Sequence, residues 1–174
     1  MSDDFTLRTH RPGDIGWVIS RHGELYAREY GWDMGFEALV AEICTKFLQD
    51  FNSNREICLI ADSNGERLGS AFVVDAGART SKLRLVLVEP HARGRGIGRA
   101  LIASAINFAH AHGYGEMVLW TNDILHAARR LYIEAGFVMV AEERHRSFGH
   151  DLVGQTWRLE LTAASDDARP QSSR

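Results

Sequence analysis

The chain has 174 residues, 45% hydrophobic and 25% charged, which is typical of one globular domain and excludes a collagen-like, disordered or disulfide-stapled chain. Its 20 basic and 23 acidic residues give a net charge of −3, which disfavours a general nucleic-acid binder. Cys44 and Cys58 show no metal-binding spacing, so we interpret both as small core residues of a protein in the reducing cytoplasm. The acidic N-terminus lacks the features of a signal peptide, and no apolar stretch reaches the ~18 residues of a membrane span.

The first half of the chain contains the apolar patterns of both helices and strands. Apolar residues spaced by three and four predict amphipathic helices, and short apolar segments predict strands. In chain order these are a strand over 5–8, helices over 14–29 and 34–50, and strands over 56–61 and 68–74. The turn-forming segment Asp62-Ser63-Asn64-Gly65 joins the last two strands, which predicts a hairpin with a loop of four or five residues.

The second half alternates strands with helices. The predicted elements are a strand over 82–88, a helix over 96–112, a strand over 116–121, a helix over 123–135, and strands over 137–144 and 154–161. This alternation predicts one α/β domain over residues 4–161, with a mixed sheet of about seven strands and helices on both faces. Trp120 and Trp157 lie on predicted strands, and we expect both in the core. The polar residues 162–174 predict a flexible tail.

The most informative segment is a glycine-rich turn between the strand over 82–88 and the next helix. Gly94, Gly96 and Gly98 remove Cβ atoms where the helix begins, and backbone N–H groups there have no intrahelical acceptor. The positive end of the helix dipole lies at the same place, so the turn predicts a phosphate or pyrophosphate site. The neighbouring arginines Arg93, Arg95 and Arg99 add positive charge to it.

Other interpretations of this turn are weaker. A dinucleotide fingerprint requires a third glycine where Arg99 stands, and a P-loop requires a Gly-Lys-Ser/Thr sequence that is absent. An RNA-binding Arg-Gly tract would be longer than this single segment. A plain strand-to-helix turn, with glycine used for geometry alone, stays open.

Two motifs resemble the GNAT N-acetyltransferases. Arg93-x-x-Gly96-x-Gly98, after a strand ending in Val-x-Pro, is similar to the coenzyme A loop of that family. The segment Leu131–Phe137 resembles its helix-to-strand signature LYxxxGF, and the resemblance in element order spans residues 5–161. The segments His22–Asp33 and Ser147–Trp157 resemble the acetyltransferase half of proteins that fuse a MarR-type winged helix to a GNAT domain. No segment here would form the winged helix, so we expect no nucleic-acid partner.

The resemblance implies an acetyl-CoA-dependent N-acetyltransferase, in which a primary amine of a small molecule or peptide attacks the thioester. The pantetheine arm would pair with the strand at Leu87 and Val88, and a backbone N–H near Val88 would stabilise the oxyanion. The pyrophosphate would bind the loop residues Arg93, Gly94, Arg95, Gly96, Ile97, Gly98 and Arg99.

Tyr132 is the implied general acid. A phenol of pKa ~10 can donate a proton to a leaving thiolate whose thiol has a pKa of ~8.5. The alternative is a tyrosine that packs under its helix with the hydroxyl at the rim.

The chain departs from the family at two positions. Leu125 stands where the family often has a coenzyme-binding asparagine, and Asn122 either replaces that residue or caps the helix with Asp123. Lys82 stands where some members have a glutamate base, so another residue must remove the proton of the amine.

The candidate bases and acceptor contacts fall into two segments. The charged candidates are Glu29 and Asp33 between the first two helices, and Glu142, Glu143 and His145 on a later strand. Each of these also fits an ordinary solvated position. Tyr30 and Trp32, with Tyr26, would line an acceptor pocket or pack in the core.

Three further expectations concern function and partners. The eight histidines show no metal-ligand spacing and HExxH is absent, so we expect no catalytic metal. Because the sequence has no apolar membrane span, we also expect no membrane partner. Leu125 and Lys82 also fit an alternative function, a catalytically weak coenzyme A-binding sensor or interaction module. A homodimer paired at a free sheet edge is compatible with the resemblance, and the negative net charge mildly favours a cationic acceptor.

Overall fold

The computed structural model of the protein describes residues 5–161. Residue 4, assigned to the predicted domain, and the tail predicted over 162–174 lie outside the described residues. The strands are β1 (Thr6–Thr9), β2 (Ile57–Ser63), β3 (Glu66–Asp75), β4 (Thr80–Val88), β5 (Glu116–Asn122), β6 (Val138–Ser147) and β7 (His150–Glu160). The α-helices are α1 (Asp14–Tyr30), α2 (Met34–Asp50), α3 (Ile97–Ala111) and α4 (His126–Glu134), and a short 3-10 helix covers Pro90–Ala92.

A mixed sheet in the order β1-β2-β3-β4-β5-β7-β6 runs through the described chain. Neighbouring strands are antiparallel except β4 and β5, which are parallel. The apolar stripes of α1 and α2 pack on one face of the sheet, around Val18, Val40 and Phe72. The helix α3 and Tyr132 of α4 pack on the opposite face, against Ala71. The predicted α/β class, seven strands and two helical layers are confirmed.

The hairpin between β2 and β3 is tighter than predicted. Ser63 pairs with Glu66, so the loop contains only Asn64 and Gly65, with φ of 52° and 86°. Two consecutive residues with positive φ match the right-handed twist of the flanking strands, which favours an Asn-Gly turn of two residues. The predicted loop of four or five residues was therefore wrong.

The two tryptophans have different environments. Trp157 is buried as predicted, but Trp120 is 39% exposed, so its assignment to the core was wrong. The indole of Trp120 lies across Gly154 of β7, where a Cβ would come within 2.6 Å of its Cζ2 atom. On this face α1 and α2 pack mainly over β2 and β3, and the ring of Trp120 therefore lies outside that covered area.

The strands β4 and β5 diverge after a short paired segment. They pair only between Thr80–Lys82 and Glu116–Val118. The bulge in β4 lies just beyond, because Ser70 pairs with Leu87 while Phe72 pairs with Arg84. Leu85 in the bulge has φ of 52°, and its carbonyl accepts a hydrogen bond from Ser70 Oγ at 2.8 Å. The divergence opens a wedge in the sheet beside the second half of β4.

The strand β6 forms one edge of the described sheet. Its residues Val138, Met139 and Val140 are exposed. A homodimer paired at a free sheet edge stays a prediction.

Asp14, at the start of α1, joins three elements. The side chain is 1% exposed, and its carboxylate accepts hydrogen bonds from Arg8 Nη1 at 2.6 Å, Arg67 Nε at 2.7 Å and Arg11 N at 2.7 Å. Burial alone would raise the pKa of Asp14, but these donors outweigh burial and hold the pKa well below its usual range.

We expect Asp14→Asn to lower the free energy of unfolding in urea by about 2–4 kcal/mol, because it leaves Arg67 without its carboxylate and Arg8 with Asp62 alone. The stabilising contribution of Asp14 should be complete above the unfolded-state pKa of ~3.9 and decline as the pH falls below it, and the variant should lack this decline. Asp50→Asn is the matched control, because Asp50 pairs with Lys46 on the surface and should change stability little. Equal effects of the two substitutions would contradict the assignment.

Candidate active site

The loop after β4 presents backbone donors at the start of α3. Gly96 is the N-cap of α3 with φ of 79°, and Gly94 has φ of 78°, a left-handed conformation that glycine adopts without strain. The first helical hydrogen bond runs from Ala100 N to Gly96 O at 3.0 Å. The N–H groups of Ile97 to Arg99 therefore have no intrahelical acceptor, and they lie at the positive end of the helix dipole. This arrangement can hold an anion.

The three glycines of the loop serve different purposes. A Cβ on Gly98 would lie 2.8 Å from Leu131 Cδ1, so glycine there permits close packing of α3 against α4. A Cβ on Gly94 or Gly96 would meet no heavy atom within 4 Å. The interpretation that all three glycines clear space for a phosphate therefore needs correction for Gly98.

Two of the predicted phosphate-binding arginines form ion pairs. Arg93 Nη2 lies 2.7 Å from Glu29 Oε1, and Arg99 Nη2 lies 2.7 Å from Glu134 Oε2. Both arginines and both carboxylates line the same cleft. The ion pairs hold the guanidinium groups beside the loop, where a bound anion would compete with the carboxylates.

We call this cleft the loop cleft. It has a volume of about 540 Å³ and lies between the divergent end of β4, the loop, α1 and α4. Its lining includes Leu25, Tyr26, Glu29, Tyr30, Val86, Leu87, Val88, Arg93, Gly94, Gly96, Ile97, Gly98, Arg99, Leu125, Ala128 and Glu134.

A second cavity of about 370 Å³, the aromatic cavity, lies in the wedge between β4 and β5. Its lining includes His22, Tyr26, Trp32, Phe36, Leu39, Val40, Ile43, Lys82, Arg84, Val86, Trp120, Asn122, Leu125, Ala128, Tyr132 and Phe148. Tyr132 is 7% exposed, and burial raises the pKa of its phenol well above the usual value. The phenol therefore keeps its proton at neutral pH.

The two cavities share part of their lining. Tyr26, Val86, Leu125 and Ala128 border both. A molecule bound along the loop cleft would therefore reach the aromatic cavity at this junction, close to Tyr132. The arrangement suits a reaction between two molecules that enter from different sides.

The sequence profile of the acetyltransferase (GNAT) family matches residues 15–137, which covers the loop, the junction and Tyr132. The chain belongs to the GNAT acetyltransferase family. Its predicted enzyme class, an acyltransferase that uses acetyl-CoA, follows from this membership.

Individual relatives are more distant. An N-acetyltransferase of Schizosaccharomyces pombe is 32% identical over 114 residues, which are 64% of this chain and 69% of that protein. Mycothiol acetyltransferase of Beutenbergia cavernae is 34% identical over 88 residues, 51% of this chain but only 29% of that protein.

The fold is shared with solved structures at lower identity. The protein yncA of Salmonella typhimurium, solved with its cofactor acetyl-CoA, gives a TM-score of 0.74 at 21% identity, covering 95% of this chain and all of that one. Spermidine N-acetyltransferase of Vibrio cholerae, in complex with CoA and spermine, gives 0.70 at 19% identity, covering 90% and 95%.

The GNAT domain does not bring the predicted bases into the aromatic cavity. Glu29 pairs with Arg93, and Asp33 is the N-cap of α2, where it accepts a hydrogen bond from Gly35 N at 2.8 Å. Glu142 accepts one from Gln155 Nε2 at 2.8 Å on the outer strand. Glu143, on the same strand, is exposed. Of the two predicted aromatic contacts, Trp32 lines the aromatic cavity and Tyr30 lines the loop cleft.

Asn122 lies on the acceptor side of the junction. It lines the aromatic cavity, and its Oδ1 accepts a hydrogen bond from His145 Nε2 at 2.8 Å. The alternative that Asn122 caps α4 was wrong, because the N-cap is Leu125 and no side chain caps that end. Contact of Asn122 with the coenzyme stays a prediction, and Leu125 brings an apolar side chain to the junction.

Sequence reasoning missed several residues of the aromatic cavity. His22 donates from Nδ1 to Val18 O at 2.8 Å, so its neutral form has a lone pair on Nε2. Burial lowers the pKa of His22 to about 4, and Nε2 has no hydrogen-bond partner among the described residues. Arg84 and Phe148 were also missed. The position of Arg84, two residues after Lys82 on the same strand, was the available signal.

Two findings concern metals and membranes. Within residues 5–161, no group of three or more His, Cys, Asp or Glu side chains could hold a metal ion. No helix in the described part of the chain is long and apolar enough to cross a membrane.

Proposed function

We propose that the protein transfers the acetyl group of acetyl-CoA to a primary amine of a small molecule or peptide. The observation that carries this proposal is the junction of the loop cleft with the aromatic cavity at Val86, beside Tyr132. A coenzyme-binding protein without a reaction would need the loop cleft alone. The second cavity therefore favours an enzyme over the alternative of a coenzyme A sensor.

The loop cleft fits the coenzyme in charge and shape. The unpaired N–H groups at the start of α3 would hold the pyrophosphate, and Arg93 and Arg99 would exchange their carboxylate partners for phosphate oxygens. Residues of β4 after Lys82 have no partner in β5, so the backbone at Leu87 and Val88 would pair with the amides of the pantetheine arm.

The acid step is assigned to Tyr132. Acetyl-CoA supplies a thioester whose carbonyl carbon bonds to the neutral amine nitrogen, while the carbon–sulfur bond breaks and the sulfur takes up a proton from Tyr132. The nitrogen loses one proton to solvent, and solvent returns a proton to Tyr132. The Tyr132 hydroxyl holds a proton in a site where burial disfavours any anion, including a thiolate. Desolvation raises the basicity of both groups, so it does not by itself prevent proton transfer from the phenol.

The acceptor amine and the cellular location of the protein are also proposals. The relative named for mycothiol supports a small amine acceptor. The closer likeness to winged-helix fusions rests on the two sequence segments alone. The free, buried thiols of Cys44 and Cys58 support a reducing, cytoplasmic location.

Thermal unfolding with acetyl-CoA, NADH and ATP side by side tests the coenzyme. Acetyl-CoA at 100 times its Kd should raise Tm by about 5–10 °C, because it adds about 2.7 kcal/mol to a domain of this size. NADH and ATP control for adenine and phosphate groups and should have little effect. Equal shifts with all three ligands, or no shift with acetyl-CoA, would contradict the proposal.

A further inference from the structure

Two cations that line the aromatic cavity have no counter-ion within residues 5–161. Lys82 and Arg84 lie two residues apart on β4 and are both half-buried. Neither forms an ion pair or a side-chain hydrogen bond with any described residue, and Arg84 Nε is buried without an acceptor. Burial and the charge of Arg84 lower the pKa of Lys82, and burial lowers that of Arg84, which indicates that no carboxylate compensates them.

The remaining lining of the aromatic cavity supplies no negative charge. Its other titratable residues are His22, Tyr26 and Tyr132, and no Asp or Glu of the described chain lines it. Acidic residues occur in the adjoining groove behind α2, but Asp50 pairs there with Lys46 and Asp75 with Arg55. Lys82 and Arg84 border this groove as well, but neither Glu42 nor Glu56, the other acidic residues that line it, forms an ion pair with them. Uncompensated, half-buried cations are costly, and a bound anion would remove that cost.

We propose that the acceptor amine carries a carboxylate, which binds Lys82 and Arg84, and an aromatic or apolar body, which packs against Trp32, Phe36 and Phe148. The inference rests on the proposed acetyl transfer and adds the class of its acceptor. The net charge of −3 is spread over the whole chain, whereas this cavity is positive. The acceptor is therefore zwitterionic rather than cationic.

The geometry also sets the spacing between the two ends of the acceptor. Arg84 is two residues from Val86, which borders the junction, and the bulge at Leu85 makes their separation shorter than the ~6–7 Å of a regular strand. The guanidinium can shorten this distance by folding towards the junction. An acceptor with its carboxylate within that reach of the amine would satisfy both ends.

The test compares amines with and without a carboxylate. The matched pairs are L-phenylalanine with 2-phenylethylamine, and 4-(aminomethyl)benzoate with benzylamine, assayed by release of the CoA thiol. We expect kcat/KM to be at least about tenfold higher for the carboxylated member of at least one pair. Equal rates within both pairs, faster acetylation of the amines that lack a carboxylate, or no acetylation of any member would overturn the inference. Acetylation of the amines that lack a carboxylate would leave the proposed acetyl transfer intact.

Variants of Lys82 and Arg84 test whether these residues bind the carboxylate of the acceptor. Arg84→Gln should raise KM for the carboxylated amine by about 10–100-fold and leave KM for the matched amine without a carboxylate within about twofold. Lys82→Gln should also raise KM for the carboxylated amine. The same change in two variants would indicate lost binding rather than a folding defect of one of them. Lys46→Gln is the control, because it removes a similar charge beside the aromatic cavity but outside its lining. Equal loss with both members of a pair would overturn the assignment of Arg84.

Discussion

Tyr132→Phe is expected to lower kcat by about 10²–10⁴-fold and to change the KM for acetyl-CoA by less than about threefold. The substitution removes only the hydroxyl, so the ring can still pack edge-on against Phe137 at 6.0 Å. The hydroxyl has no hydrogen-bond partner within residues 5–161, and its removal leaves no described group unsatisfied. The expected loss is therefore one of proton supply rather than of fold.

The measurement is thiol release under saturating acetyl-CoA, together with urea unfolding of the same samples. Tyr114→Phe is the matched control, because Tyr114 is buried outside both cavities and its hydroxyl donates to Arg55 O at 2.7 Å. This control should lose about 1 kcal/mol of stability and keep its kcat. A Tyr132→Phe variant with unchanged kcat would remove Tyr132 from the acid role.

The fold was predictable because its signals are local. Apolar spacing predicted α1 and α2. Pro90 marked the end of the strand before the coenzyme motif, and Gly136 marked the end of the helix within the LYxxxGF motif. The exposure of Trp120 was not predictable in this way. It depends on which strands α1 and α2 cover, a property of tertiary packing that alternation along β5 does not contain.

The candidate site was predictable only in part, for a similar reason. The loop donors follow from a continuous sequence, and the structure places them as expected. The aromatic cavity instead combines residues from α1, α2, β4, β5, α4 and the β6–β7 turn, so its charge appears only when these elements meet. Lys82 and Arg84 follow the regular alternation of β4, but which face of that strand lines the cavity depends on the elements packed around it.

Gly96→Val is expected to weaken acetyl-CoA binding by about 100-fold or more, measured by calorimetry. Gly96 has φ of 79°, and a β-branched residue in that conformation is strained by about 1–3 kcal/mol. The loop would relax to negative φ, and the N–H groups of Ile97 to Arg99 would no longer converge on one anion. The open space around the Gly96 Cβ position means that the effect comes from backbone conformation and the bound phosphate, not from a clash within the protein.

Gly113→Val separates this effect from general strain. Gly113 also has φ of 79° and open space around its Cβ position, but it follows the opposite end of α3, outside the loop cleft. Both variants should lose similar stability, and only Gly96→Val should lose affinity for acetyl-CoA. A similar affinity loss in both would attribute the effect to destabilisation of α3. Full affinity in Gly96→Val would show that the loop does not hold the pyrophosphate, and the turn would then serve only to connect β4 to α3.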